Sequence, residues 1–194
     1  MQDQARTTYD RFAPFYDEWT AQNDYELWLG EIILPELEKH GLRKGWALDV
    51  GCGTGRAFPP LLARGWQVIG CDVSSGMLAE ARRKFDSRVQ LLHVDARSLP
   101  PISPLPGTPD GTFQLVLFLN DVVNFLVEED ELQKLFSGVR QNLSPDQGLF
   151  VFDANTLRLF REDYAQGVLD ERGVENWKWS GTTAEVESGG IFEA

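Results

Sequence analysis

Cysteine, methionine and histidine are scarce in this chain, each occurring only twice in 194 residues. Cys52 and Cys71 form neither a CxxC pair nor a metal-type spacing, which excludes a disulfide framework and a cysteine metal centre. Both thiols read as reduced and buried, although both lie near strand ends, where they could approach each other. Long apolar runs are lacking as well. No stretch of 18 apolar residues occurs, and no basic segment followed by an apolar one opens the sequence. The expectation is a soluble cytoplasmic protein with no membrane partner. Positive charge is the third shortage: 18 Lys and Arg face 30 Asp and Glu, for a net charge of −12. The imbalance is local, since residues 119–194 hold 15 acids against 6 bases and residues 1–118 hold 15 against 12. Such a surface repels a phosphate backbone, so no nucleic acid partner is expected, and the excess acid serves solubility.

Hydrophobic residues make up 42% of the chain, enough for one domain with a real core. Short apolar runs at 46–50, 66–71, 89–94, 113–119 and 148–153 alternate with helical patterns at 74–85 and 128–143. Strands this continuously apolar are buried on both faces, the mark of an α/β, doubly wound parallel sheet wrapped by helices. Two helices are expected before the first strand, over 9–19 and 24–41. In the second, Tyr25, Trp28, Leu29, Ile32, Ile33 and Leu37 fall on one stripe, and Gly41 is a C-terminal stop. On the 128–143 helix, Leu132, Leu135, Phe136, Val139 and Leu143 share a face, and "VEEDE" (127–131) is a solvated helix start rather than a metal site. Five of the ten prolines crowd into 99–111, a long surface loop. Three segments follow: residues 1–44 with the two helices, 45–153 with the strands and 154–194 without a clear pattern.

The stretch "ALDVGCGTGRAF" (47–58) ends a strand in an acid and breaks into glycines at alternate positions. Glycines there let the backbone turn sharply and meet a ligand directly. Two more acids close the next strands, Asp72 after "WQVIGC" and Asp95 after "VQLLHV". Three successive strands each delivering a carboxylate to one sheet edge suit a cationic, nucleoside-bearing ligand. Asp72 could accept both ribose hydroxyls, Asp95 an adenine amino group, and Asp49 an ammonium. Phosphate is unwelcome among these acids, and the Walker lysine is absent.

With "LDVGCGTG", "GCDVSSGML", "HVDA" and "FLNDVVNFL" in this order, residues 9–155 resemble the class I S-adenosylmethionine-dependent methyltransferases. The resemblance implies a Rossmann-like sheet and S-adenosylmethionine as cofactor. It implies that Gly51, Cys52, Gly53 and Gly55 cradle the cofactor beside Asp49, that Asp72 and Val73 hold the ribose, and that Met77 packs on the adenine. Asp95 and Ala96 would define the adenine edge, with Asn120 beside the methionine end. The segment "YDRFAPFYDEW" (9–19) looks like the lid helix of the small-molecule branch, which includes sugar-amine N-methyltransferases; by that likeness Tyr9 and Tyr16 face the sulfonium. The sequence departs from the family in three places. Pro59 and Pro60 delay or kink the helix after the glycine loop. The 98–111 loop is unusually rich in proline. The antiparallel hairpin that ends the family's sheet is not supplied after residue 155, as in a piece of a longer protein.

Other readings stand beside these. Asp121 and Asn124 lie just past the fourth strand and either orient or deprotonate the acceptor as catalytic residues, or cap the loop. His93 reads as a satisfied core histidine and His40 as a helix C-cap. Trp177 and Trp179 mark one face of a half-buried strand more readily than a substrate pocket. No metal ligand set is seen. The expected reaction is in-line methyl transfer to a small-molecule N or O nucleophile, in which the protein aligns the acceptor and excludes water. Two alternatives are a nicotinamide-dependent oxidoreductase, disfavoured by Arg56 at the fingerprint's last glycine, and a non-catalytic module that binds the same cofactor.

Overall fold

The computed structural model describes residues 2–104 and 112–164, with the backbone of two further strands at 168–170 and 177–179. The chain divides into two compact units, 1–152 and 153–194, a finer division than the single domain that length suggests.

In the first unit, β1 (Trp46–Val50), β2 (Gln67–Asp72), β3 (Gln90–His93), β4 (Leu115–Phe118) and β5 (Leu149–Phe152) form one sheet in the order β3-β2-β1-β4-β5. Every pairing is parallel. The chain steps outward from β1 to β3, returns past β1 to β4, and so creates a switch point between β1 and β4, where α/β sheets bind ligands. Alternation along each strand explains the apolar runs. Ala47, Val68, Leu115 and Leu117 enter a core shared with Leu29, Leu34, Leu37, Phe58, Leu61 and Phe85. Leu48, Val50, Ile69, Val116 and Phe118 enter a second core with Leu99, Phe113, Leu135 and Val139. Each fully buried side chain of this size contributes about 1.5–3 kcal/mol.

Helices fill the connections. After the glycine loop the chain turns without helix until α4 (Phe58–Ala63), a delayed start with prolines in its first turn. Helix α5 (Ser75–Phe85) is capped by Ser74, whose Oγ accepts from Met77 N at 3.1 Å. Helix α6 (Glu129–Asn142) starts in a capping box between Glu128 and Glu131.

At the N-terminus, α1 (Gln2–Phe12) runs through a 3-10 turn at Ala13–Phe15 into α2 (Tyr16–Trp19). The next segment differs from a plain α-helix. Glu26–Ile33 is π-helical and passes into α3 (Leu34–Lys39), with Leu34 N donating to Leu29 O. Pro35 has no N–H to give and its ring crowds the carbonyl four residues back, a known cause of such widening. The wider turn rotates the stripe. Leu29, Gly30, Leu34 and Leu37 are buried, while Ile32 is 59% exposed. Gly41 does end the helix, at φ +81 with Leu42 N donating to Leu37 O.

Two other expectations are corrected. Phe136 lies at the margin of the α6 stripe, 45% exposed, and meets Phe150 and Phe152 edge-on. His93 is exposed rather than buried, because β3 is an edge strand; its Nε2 lies 2.8 Å from Val73 O. His40 does cap α3, its N–H reaching Leu37 O.

In the second unit, α7 (Leu157–Leu159) continues as a π-helical turn, Phe160–Tyr164. Strands β6 (Val168–Asp170) and β7 (Trp177–Trp179) pair antiparallel in a sheet of their own, so the five-stranded sheet ends at β5. Trp177 and Trp179 are thus in a strand; their side chains, and the loop at 105–111, lie outside the described residues. Among the described residues no helix is long and apolar enough to cross a membrane.

Candidate functional site

The carboxyl end of β1 delivers Asp49, and the chain then turns through Gly51, Gly53 and Gly55 at φ +72, +52 and +82. Both Gly51 N and Cys52 N donate to Cys71 O, at 2.8 and 2.9 Å, which ties the loop to the end of β2. The three glycines do different work. A Cβ on Gly55 would lie 2.6 Å from the Phe58 ring and 2.8 Å from Phe85, so this glycine permits close packing of helices. On Gly51 it would strike Val122 at 2.7 Å, from the turn that follows β4 across the switch point. Only Gly53 leaves room, its nearest neighbour being the Tyr16 ring at 3.8 Å. Bare backbone with an aromatic roof is the cradle expected of a ligand contact.

Asp49 and Asp72 lie at the ends of the neighbouring strands β1 and β2, beside this loop. Asp49 is 3% exposed; burial first, and the charge of Asp72 second, push its carboxyl up to about 8. Burial also raises Asp72, although its oxygens accept from Gly53 N and Ser74 N at 2.8 Å each. Two carboxylates this close favour a cation between or beside them. The third strand-end acid is committed elsewhere. Asp95 accepts from Arg97 N, Nε and Nη2, and this pairing lowers its carboxyl. Arg97 in turn reaches Glu131 on α6 at 3.5 Å. The expected convergence of three acids is therefore a pair plus one acid held by an arginine, whose short side chain spacing from Asp95 carries no sequence signal of its own.

The lid residues meet the crevice. Tyr16 packs edge-on against Tyr9, with centroids 6.3 Å apart, and Tyr9 against Phe125 at 5.7 Å. Asn120 Nδ2 donates to the Tyr16 hydroxyl at 2.8 Å, and Asn23 Nδ2 donates to Asn120 Oδ1 at 2.7 Å. Burial pushes the Tyr16 hydroxyl up to about 12, so it remains protonated at neutral pH. Asn120 and Asp121 take left-handed conformations in succession, φ +66 and +72, rare for non-glycine residues and concentrated at functional sites. The turn Val122–Phe125 follows and carries Asn124, whose N–H donates to Asp121 O at 3.0 Å.

The remaining expected residues are placed as follows. Met77 is 2% exposed on α5. Ala96 opens a short 3-10 turn, half-buried against the second core. Val73 carries the carbonyl beside His93. Cys52 and Cys71 are free, buried thiols, both raised by burial, so neither is a nucleophile at neutral pH. Sequence reasoning missed Asp10, Asp17 and Asn23. Asp10 Oδ1 accepts from Ser74 Oγ at 2.6 Å and Gly76 N at 2.8 Å, docking α1 on the start of α5. Asp17 accepts from Thr54 of the glycine loop and pairs with Lys84 at 2.6 Å. The place of Asp10 and Asp17 in "YDRFAPFYD" was the one available signal, and Asn23 had none.

A family described as a methyltransferase domain matches residues 47–146, more than half of the chain. The chain belongs to the methyltransferase domain family. Two relatives provisionally named as methyltransferases, from Geobacillus sp. (strain WCH70) and Bacillus subtilis (strain 168), are each 32% identical over 77% and 76% of the chain. The chain spans 58% and 56% of the length of these two curated relatives. Among solved structures, an S-adenosylmethionine-dependent methyltransferase from Clostridium acetobutylicum ATCC 824 shares the fold, with TM-score 0.73 and 24% identity over 96% of this chain and 78% of that one. The S-adenosylmethionine-bound amino pentose methyltransferase CalS10 of Micromonospora echinaspora superposes with TM-score 0.58 at 26% identity, covering 74% of this chain and 57% of that one. The class I methyltransferase resemblance and the Rossmann-like sheet are thereby borne out, and the methyltransferase domain carries no sign of the oxidoreductase alternative.

Proposed function

We propose that the protein transfers a methyl group from S-adenosylmethionine to a small-molecule amine or hydroxyl. The observation that carries this reading is the open backbone at Gly53, roofed by Tyr16 and flanked by the buried Asp49 and the half-buried Asp72. When bound, the cofactor supplies an electrophilic methyl group on a sulfonium. The chain's own residues bind, orient and exclude water. Asp72 accepts from the backbone N–H groups of Gly53 and Ser74, and its carboxylate still presents lone pairs to the vicinal hydroxyls of a ribose. Asp49 offers a buried carboxyl to a cationic amine. Asp95 is largely used by Arg97, so the adenine edge falls chiefly to the backbone of Ala96, with Met77 below. Tyr16 and Tyr9 turn aromatic rings toward the positive end.

An amine acceptor arrives neutral once desolvated and needs no dedicated base. A hydroxyl acceptor needs one, and Asp121, held in the left-handed turn with Asn124 beside it, fills that place. The amino pentose methyltransferase among the neighbours favours an amine. The acidic surface supports a small molecule over nucleic acid and fits a soluble, cytoplasmic protein. The residues 1–44 serve as lid, 45–153 as cofactor core and 154–194 as part of the acceptor-binding segment.

Calorimetry tests the cofactor reading. Wild-type protein should bind S-adenosylmethionine, and Asp72→Ala should weaken binding at least about tenfold, the worth of hydrogen bonds to a charged group. Folded protein that binds nothing, or an Asp72→Ala variant that binds as wild type does, sinks it. Methyl transfer from labelled cofactor to panels of amines and alcohols then tests chemistry, and binding with no turnover would favour the non-catalytic module.

A further inference from the structure

We infer that Arg56 is a positioning residue for the cofactor: from the glycine loop it grips the turn at 20–25 and so sets Tyr16 over Gly53. The inference rests on the reading of Gly53 and Tyr16 as cofactor contacts. Arg56 occupies the position where a dinucleotide fingerprint has its third glycine, and the structure gives it another use. Its Nη1 donates to Thr20 O, its Nη2 donates to Asn23 O at 2.8 Å, and the guanidinium lies 5.2 Å from the centre of the Tyr25 ring. Two carbonyls and an aromatic face are what a planar fork of donors satisfies together, and a lysine ammonium cannot.

The gripped turn leads straight to the roof. Thr20 is tied back to Tyr16, its N–H donating to Tyr16 O at 2.9 Å and its Oγ1 to the same oxygen at 2.7 Å. Asn23 passes the contact on through its side chain to Asn120, and Asn120 to the Tyr16 hydroxyl. The path closes on itself, because Tyr16 stands 3.8 Å from the Cβ position of Gly53, in the same loop as Arg56. Thr54, between them, donates to Asp17 and gives the loop a second hold on the lid. The side chains of Thr54 and Arg56 thus couple the backbone that meets the cofactor to the aromatic ring that covers it.

The test uses Arg56→Ala and Arg56→Lys beside wild type. Stopped-flow release of S-adenosylmethionine should be about tenfold faster in Arg56→Ala, from loss of charge-assisted hydrogen bonds, and also faster in Arg56→Lys, which keeps the charge but not the fork. Amide exchange in the ligand-free variants should rise across residues 13–25 while β1 and β4 keep wild-type protection, which a general loss of stability would not produce. Combining Arg56→Ala with Asn120→Ala should give less than the product of their separate effects on release, since both cut one path. Unchanged release, unchanged exchange at 13–25, or full additivity overturns the inference. Wild-type protein that binds no cofactor removes the cofactor reading together with this inference, whereas wild-type binding with unaltered Arg56 variants removes this inference alone.

Discussion

At position 49 a carboxyl group sits on a strand whose other residues are apolar, and the charge acting on it is a second carboxylate, Asp72. Its pKa rises from the ordinary 3.8 to about 8 on folding. In the unfolded chain the group ionises near pH 4, while the native state keeps its proton to about 8. The native state therefore binds one more proton between these values, and the stability that follows is full below pH 3.8 and lost as pH rises through 8. Asp49→Asn should flatten that fall, so thermal melts at acid, neutral and alkaline pH should show the variant gaining on wild type toward high pH. If a cationic amine meets Asp49 ionised, cofactor affinity in wild type should climb by up to tenfold per pH unit below the raised pKa, and that slope should vanish in Asp49→Asn. The glycines separate by the same logic. Gly55→Ala drives a Cβ into the Phe58 ring and should lower stability by about 1–3 kcal/mol, read by urea unfolding. Gly53→Ala meets no clash, bears only the left-handed backbone cost of about 1–2 kcal/mol, and should weaken cofactor binding beyond what it does to stability.

Among the elements, the proline-rich connection between β3 and β4 depends on one side chain of α6. Asn142 is fully buried: its Oδ1 accepts from Ile102 N at 2.8 Å, and its Nδ2 donates to Pro100 O at 2.9 Å and Gly138 O at 2.8 Å. Prolines cannot pin themselves through N–H groups, so the segment borrows an amide. Asn142→Ala leaves the buried Ile102 N–H and the part-buried Pro100 C=O without this partner, and a stranded buried group costs about 1–3 kcal/mol. The variant should lose about 2–4 kcal/mol in urea unfolding, and Asn142→Asp should lose at least as much at neutral pH, because its carboxylate would be buried against the Pro100 and Gly138 carbonyl oxygens. Nothing in the sequence announces this role, because a lone asparagine among helix-surface residues has no pattern. The strands, by contrast, were legible within a residue or two, since burial on both faces forces a continuous apolar run. The helix expected over 24–41 was legible in place but not in phase: Pro35 widens the turn, and the assumed 3.6-residue period put Ile32 inside; the one expected over 9–19 begins earlier, at Gln2, and breaks into a 3-10 turn at Ala13–Phe15. At the site, Asp49, Asp72 and the glycine loop could be read from position at strand ends. The partners Asp10, Asp17, Asn23 and Arg97 could not, because tertiary docking of the lid and of α6 chose them.

For the whole molecule, the net charge of −12 is shared by both units, with 21 acids against 14 bases in residues 1–152 and 9 against 4 in residues 153–194. Among the described residues most of these acids are exposed, and they repel one another through water, where the screening length falls from about 30 Å at 0.01 M salt to about 8 Å at 0.15 M. Asp49 and Asp72 lie in the crevice, where salt screens little. Ionic strength should therefore separate the two electrostatic systems. Raising sodium chloride from about 0.01 to 0.3 M should increase the melting temperature by relieving surface repulsion. Over the same range, cofactor affinity should change by less than about threefold if, as proposed, its charge contacts are with Asp49 and Asp72. Paired melts and calorimetry at matched salt decide the matter. A melting temperature that falls with salt would mean that the surface ion pairs, such as Lys134 with Asp130 and Lys39 with Glu36, outweigh the repulsion. An affinity that collapses with salt would mean that the cofactor is held by the outer acidic field rather than by the buried pair at the ends of β1 and β2.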